Sequence, residues 1–225
     1  MKALKREADI YSHLNQSNIV KRMEVLHLKD PVSGFEPIHV LIFMELMEGD
    51  LKRLIYGTNR GRMTERETLL WLRQVVSALW YLHNKNISHL DLKPNNILYS
   101  TRRERGVTYC TYKLTDFGIS QRFDENQPNV ITGEVGTKFY APPEFAVGET
   151  SRTKPANIYS LGICIAESIG GRTHSTQYVI KNAQNWNQLI ETRLGLSREL
   201  AQIISMATDP DSDSRPTIDD ISTNL

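Results

Sequence analysis

Two cysteines in 225 residues, Cys110 and Cys164, are too few and too far apart in sequence for a disulfide framework. They sit in apolar surroundings, which suits buried thiols in a reducing compartment. No C-x-x-C occurs, so a thiolate zinc site is excluded. The six histidines are scattered without H-x-x-x-H spacing and read as surface or core groups rather than metal ligands. No run of about 18 apolar residues exists, and Met1–Glu7 has no apolar signal region. The expectation is a soluble cytoplasmic chain, with the nucleus as the alternative. Neither sign of charge dominates: 27 basic residues face 26 acidic ones, for a net charge of +1. That balance points to neither a nucleic-acid nor a membrane partner. The most basic stretch, Arg102-Arg103-Glu104-Arg105, is short and reads as a solvated loop tip. There is no internal repeat and no low-complexity tract.

What is present reads as a mixed domain whose length can bury one sizeable core. Residues 2–14 carry Leu4, Ala8, Tyr11 and Leu14 along one helical face. Residues 19–28 and 38–44 read as strands, with Pro31, Gly34 and Pro37 marking the turn between them. Thr64-Glu65-Arg66-Glu67 is a capping box. Leu69, Leu72, Val76 and Leu79 follow it at helical spacing, with Trp71 and Trp80 as packing residues. Short strands at 97–99 and 112–114 flank a loop from Ser100 to about Thr108. A helix over 155–169 places Ile158, Leu161, Ile165 and Ile169 on one side and stops at Gly170-Gly171. Residues 197–208 and 216–224 form the closing helices.

Two short motifs carry the chemistry. His89-Leu90-Asp91-Leu92-Lys93-Pro94-Asn95-Asn96-Ile97-Leu98 gathers a carboxylate, an ammonium and a carboxamide within six residues. Twenty residues beyond Asn96 comes Thr115-Asp116-Phe117-Gly118, a second carboxylate on a turn hinged by glycine. Phosphoryl transfer needs a group to take the acceptor's proton, a cation on the moving phosphoryl and oxygen ligands for magnesium. Asp91, Lys93, Asn96 and Asp116 are the residue types for those tasks. A hairpin between the two motifs would set Asn96 beside Asp116, two hard oxygen donors suited to Mg²⁺ or Mn²⁺.

These motifs resemble the eukaryotic protein kinases of the serine/threonine type, whose loop pattern is H-R-D-L-x-x-x-N followed by D-F-G. The resemblance implies an α+β, protein-kinase-like fold: a mainly helical C-lobe over 47–225 and an N-lobe remnant over 1–46, the latter a regulatory helix with Glu7 and two strands. It implies Asp91 as catalytic base, Lys93 on the transferred phosphate, and Asn96 and Asp116 as magnesium ligands. Met44 to Leu51 resembles the hinge, with Met44 as gatekeeper and the Glu45 carbonyl and Met47 amide as adenine contacts. His89 is expected to pack near Phe117. Residues 116–144 resemble an activation segment ending in Gly136-Thr137-Lys138-Phe139-Tyr140-Ala141-Pro142-Pro143-Glu144, where Pro142 replaces the usual Ala. Thr137 matches the Thr that touches the catalytic Asp and Lys. Ser120, Thr132 and Thr137 are candidate phosphate acceptors. Arg215 is expected to pair with Glu144.

The departures are specific. None of the thirteen glycines forms G-x-G-x-x-G. The expectation is that the sequence starts inside the first helix, without the strand lysine that would pair with Glu7. Leu90 stands where the family usually has the Arg that senses a phosphorylated loop. Asn157 replaces an Asp that accepts bonds from the catalytic-loop backbone, so its amide needs another partner and a weaker brace on His89 and Leu90 is expected. The reading is an ATP- and Mg²⁺-dependent kinase acting on Ser/Thr hydroxyls of a protein substrate. The alternative is a pseudokinase module that binds or regulates another kinase.

Overall fold

The computed structural model describes residues 9–29, 37–123, 136–146, 153–171 and 196–225, with backbone alone for 27–29, 37–40 and 146. Residues 9–12 are helical, the described part of the helix expected over 2–14; Glu7 lies outside the described residues. Ile10 and Tyr11 on that helix are buried.

Strand β1 (Arg22–Lys29) pairs antiparallel with β2 (Pro37–Met44), with a register irregularity between Arg22 and Glu24. The first strand therefore starts later than residue 19. The reason is that residues 18–20 leave the ribbon and clip onto a different strand. Val20 N–H donates to Leu114 O at 2.9 Å, and Leu114 N–H donates to Asn18 O at 2.8 Å. Strand β3 (Gly49–Asp50) leads straight into helix α1 (Leu51–Gly57), because the Asp50 carboxylate accepts from Arg53 N–H and caps it.

Helix α2 (Glu65–Asn84) begins at the capping box read from the sequence: Glu67 N–H donates to Thr64 Oγ1, and Thr64 N–H donates to Glu67 Oε2. Its inner face buries Trp71, Leu72, Val75, Val76, Leu79 and Leu82. Trp80 instead stands half exposed, its indole N–H donating to Asp219 at 2.8 Å. Strand β4 (Ile87–Ser88) follows, then a 3₁₀ turn (Pro94–Asn96).

Strands β5 (Ile97–Glu104) and β6 (Val107–Leu114) are longer than the short strands expected, and the loop between them shrinks to Arg105-Gly106. Arg105 at φ 49° and Gly106 at φ 81° supply the left-handed pair that a type I′ turn needs. The basic run thus sits at an exposed hairpin tip, where Arg102 pairs with Glu104. The sheet order is β3-β5-β6, while β7 (Gln121–Arg122) pairs with β4.

A short helix α3 (Pro143–Ala146) precedes α4 (Thr153–Gly170), buried nearly all round, which marks a helix that other elements enclose. Helices α5 (Arg198–Ala207) and α6 (Ile218–Thr223) close the fold, capped by Ser197 and Thr217. Cys110 and Cys164 are both free thiols, and burial pushes both up from the ordinary thiol range. Among the described residues no helix is long and apolar enough to cross a membrane.

Candidate active site

The first cross-strand pair of the β5–β6 hairpin, Ile97 opposite Leu114, brings the two sequence motifs together. Thr115 N–H donates to Asn96 O at 3.0 Å, so Asn96 and Asp116 are held on adjoining chains as the hairpin reading required. The Asp91 carboxylate takes four donor contacts from the described residues. Its Oδ1 accepts from Thr137 N–H at 3.0 Å and from Thr137 Oγ1 at 2.7 Å. Its Oδ2 accepts from Lys93 Nζ at 2.6 Å and from Asn96 Nδ2 at 3.1 Å. Lys93 also donates to Thr137 Oγ1 at 2.7 Å, so Asp91, Lys93 and Thr137 form a closed ring of bonds. Gly136 makes the approach possible. It sits at φ 82°, and a Cβ there would lie 2.6 Å from Leu90 O.

Two other residues of the site hold left-handed backbone without being glycine: Leu90 and Asp116, each at φ 64°. Such a conformation costs roughly 1–2 kcal/mol per residue and persists only where surroundings impose it. At Leu90 the imposition is visible. Leu90 N–H donates to Asn157 Oδ1 at 3.1 Å, and its side chain packs with Ile119, Phe145 and Ala156. An apolar side chain thus joins Ile119 near the start of the expected activation segment, and Phe145 of α3 just past its end, to Ala156 of α4, where the family's Arg would carry charge. At Asp116 the backbone N–H donates to Tyr11 Oη at 3.3 Å.

His89 is fully enclosed, and burial holds its pKa below the usual histidine value. Its Nε2 lies 2.9 Å from Thr115 O, a carbonyl that can only accept, so the proton belongs on Nε2. Its ring packs on Phe117 with centroids 5.0 Å apart, as expected, and Tyr11 meets the same ring edge-on at 4.8 Å. Tyr11 was legible only as an apolar helix position; no sequence signal marked its contacts with Thr115 and Asp116.

Asn157 braces Leu90 rather than both His89 and Leu90, and its amide finds the partner it needs. Nδ2 lies 3.1 Å from Nε2 of His83. Burial, assisted by Lys154, pushes His83 down to about 4 despite the opposing pull of Asp219. Neither His83 nor this pairing was legible in the sequence, because the two residues are 74 positions apart.

Ser120 departs from expectation. It is wholly buried and donates to His89 O at 2.9 Å, so as placed it is not an exposed phosphate acceptor. A hydroxyl in this position serves the catalytic-loop backbone instead. Thr137 is committed to Asp91 and Lys93 as above. Thr132 lies outside the described residues. Arg215 and Glu144 form the expected pair, two parallel bonds of 2.7 Å with the guanidinium fully buried and lying over Tyr159. Three backbone carbonyls, of Asp209, Pro155 and Pro210, take its remaining donors.

At the expected hinge, contacts hold the side chain of Glu45. Its carboxylate accepts from Lys113 Nζ at 2.6 and 2.8 Å and from Lys21 N–H at 2.7 Å. Glu48 N–H donates to Tyr99 O at 2.9 Å. Among the described residues the Glu45 carbonyl and the Met47 amide have no hydrogen-bond partner, which leaves one acceptor and one donor for a ligand edge. Asn96 spends its amide hydrogens on Asp91, and among the described residues its Oδ1 accepts no bond. Asp116 is exposed, and among the described residues its carboxylate takes only a long bond of 3.4 Å from Gly118 N–H. A carboxylate and an amide oxygen fit Mg²⁺, which keeps waters and substrate phosphates as its other ligands.

An Asp–Lys–Asn cluster on the segment after β4, with a D-F-G turn beside it and buried helices beneath, is the arrangement of a protein kinase domain. Comparison with known proteins agrees. The family model described as "Protein kinase domain" matches residues 1–224. The chain belongs to the protein kinase family. It is 31% identical over 162 residues to the Caenorhabditis elegans protein named serine/threonine kinase NLK, covering 72% of this chain and 24% of that one. It is 29% identical over 168 residues to mitogen-activated protein kinase 13 of Arabidopsis thaliana, covering 75% and 42%. It is 32% identical over 167 residues to mitogen-activated protein kinase 10 of the same plant, covering 74% and 39%. The matched region spans less than half the length of each of these relatives.

Proposed function

We propose that this chain carries the catalytic machinery for moving the γ-phosphate of ATP to Ser or Thr hydroxyls of a protein substrate. The observation that carries this reading is the bond ring around Asp91. Four donor contacts fix both carboxylate oxygens, so the carboxylate is oriented before any substrate arrives. An incoming hydroxyl replaces one of those donors at Oδ1 or Oδ2 and gives its proton to Asp91. Lys93, already bonded to Asp91 and Thr137, presents its ammonium to the phosphoryl group in transit. Thr137 ties the segment that would hold the acceptor to the base itself. Asn96 Oδ1 and Asp116 would hold Mg²⁺, which when bound neutralises charge on the phosphates. The Glu45 carbonyl and Met47 amide would take the adenine edge. On this reading the N-lobe portion is residues 1–46 and the C-lobe 47–225, divided two residues after β2 ends at Met44. The similarity to the Caenorhabditis elegans serine/threonine kinase NLK supports serine and threonine as acceptors.

The test is γ-phosphate transfer to a protein substrate by the purified chain and by Asp91→Asn. Loss of a general base lowers the rate by about 10²–10⁴. Equal rates in the two proteins would overturn the reading. Magnesium-dependent ATP binding, lost in Asp116→Asn, is the accompanying expectation. Capture of another kinase without any nucleotide binding would instead favour the regulatory module.

A further inference from the structure

We propose that His83 is a positioning residue for Asp91, acting through Asn157 and the backbone of Leu90. The chain of contacts runs from helix α2 through α4 into the catalytic loop. Leu90 N–H can only donate, so the group facing it at 3.1 Å must be the carbonyl oxygen of Asn157. The other end of that carboxamide is then an NH₂ group, and it points at His83 Nε2 at 3.1 Å. For a bond to exist there, Nε2 must accept, which requires a neutral ring carrying its proton on Nδ1. His83 therefore holds the amide end of Asn157 while Leu90 N–H holds the oxygen end, and the two together fix which way Asn157 faces. If Asn157 turned over, its NH₂ would confront Leu90 N–H, two donors with no acceptor between them.

The consequence reaches the chemistry because Leu90 sits at φ 64°, a conformation a leucine does not adopt unaided, and Asp91 is the next residue. Leu90 N–H is the one catalytic-loop amide that Asn157 holds, and Gly136 packs against the carbonyl of the same residue. A carboxylate at position 157 would accept from Leu90 without help. A carboxamide needs a second residue to fix its orientation, and His83 is that residue. The charged groups facing the ring are Lys154 from α4 and Asp219 from α6. They oppose one another, and enclosure of the ring keeps it uncharged.

The proposal rests on the kinase reading only for what the brace serves; the brace itself is measured without activity. The experiment follows hydrogen exchange at the Leu90 amide and the ring titration of His83 by NMR. It compares the purified chain with His83→Phe, His83→Gln and Asn157→Asp. Wild-type His83 stays neutral down to about pH 4. In Asn157→Asp the new carboxylate raises that midpoint above 6.5, the ordinary value. His83→Phe speeds exchange at Leu90 about tenfold, the worth of one hydrogen bond. It lowers kcat with KM for ATP unchanged, and His83→Gln, which restores an acceptor, recovers both. A wild-type ring that titrates near 6.5, or Phe and Gln variants with equal Leu90 exchange, would overturn the proposal. Transfer that depends on Asp91 yet keeps its full kcat in His83→Phe would overturn it too. If exchange and titration behave as stated while no variant transfers phosphate, the brace stands and the kinase reading falls. Should His83→Phe not fold, the Asn157→Asp midpoint decides alone, and a value that stays near 4 counts against the proposal.

Discussion

The β1–β2 ribbon and the α2–α4 frame are built from similarly apolar sequence, yet they treat that sequence in opposite ways. On the ribbon and the chain leaving it, Met23 is 70% exposed, Phe43 47%, Leu41 42% and Leu26 37%. In the frame, Leu72, Leu79, Leu82 and Leu161 are fully enclosed. Two antiparallel strands have one neighbour each and are marginal in water without further cover. A helix such as α4, contacted all round, converts nearly every apolar side chain into core. Apolar content therefore does not report stability by itself; the number of neighbours an element has does. The candidate site follows the same division. Asp91, Lys93 and Asn96 stand on the segment between β4 and β5, whose Leu90 is tied to α4, whereas Glu45 and Met47, the expected hinge residues, follow directly on the ribbon.

The sharpest way to break the contrast is to cut the same kind of side chain from each region. Leu79→Ala in the frame should cost about 3–4 kcal/mol, from lost transfer energy plus the cavity left behind. Urea unfolding of the purified chain reads it directly. A loss under about 1 kcal/mol would mean that the frame is as loosely packed as the ribbon. Next in size is acid. His83 has a folded pKa pushed below its unfolded value, so the unfolded chain binds more protons between the two. Its contribution is therefore whole above pH 6.5 and is lost as the pH falls toward about 4. The loss is of the order of 3 kcal/mol, measured as a falling Tm across that window. His83→Gln should flatten this slope, and an unchanged slope would assign the acid sensitivity elsewhere. The smallest effect belongs to the ribbon. Phe43→Ser should change stability by less than about 0.5 kcal/mol while reducing self-association seen by light scattering. A loss comparable to that of Leu79→Ala would show that the ribbon's exposed face is covered in solution.

Much of the fold was legible because its signals are local. The Thr64–Glu67 capping box, the apolar spacing of Leu72, Val76 and Leu79, and the glycines ending α4 all act within a few residues, and each appears where read. Strand lengths were read less well. The apolar run that ends at Tyr99 gives no hint that β5 runs on to Glu104, because the outer half of the strand is exposed and polar. The type I′ turn at Arg105-Gly106 fixes that length, and a glycine after a charged residue is a weak signal on its own. At the site, Asp91, Lys93 and Asn96 were found by residue type and spacing, and the structure brings all three within hydrogen-bond distance. Ser120 was misjudged because a serine on an apparent loop gives no sign of burial until its neighbours are placed.

The sequence determined the things that depend on chain-neighbour chemistry. These are membership of the kinase family through H-L-D-L-K-P-N-N and D-F-G, the hairpin that joins those motifs, and the helices around them. Tertiary structure alone decided which groups complete each other across the fold. It gave the amide of Asn157 to His83, the guanidinium of Arg215 three carbonyls besides Glu144, and the hydroxyl of Ser120 to His89. The physical reason is that a buried donor or acceptor must find a partner at hydrogen-bond distance. The candidates for that partner are set by packing between segments far apart in the chain, a relation no local pattern encodes.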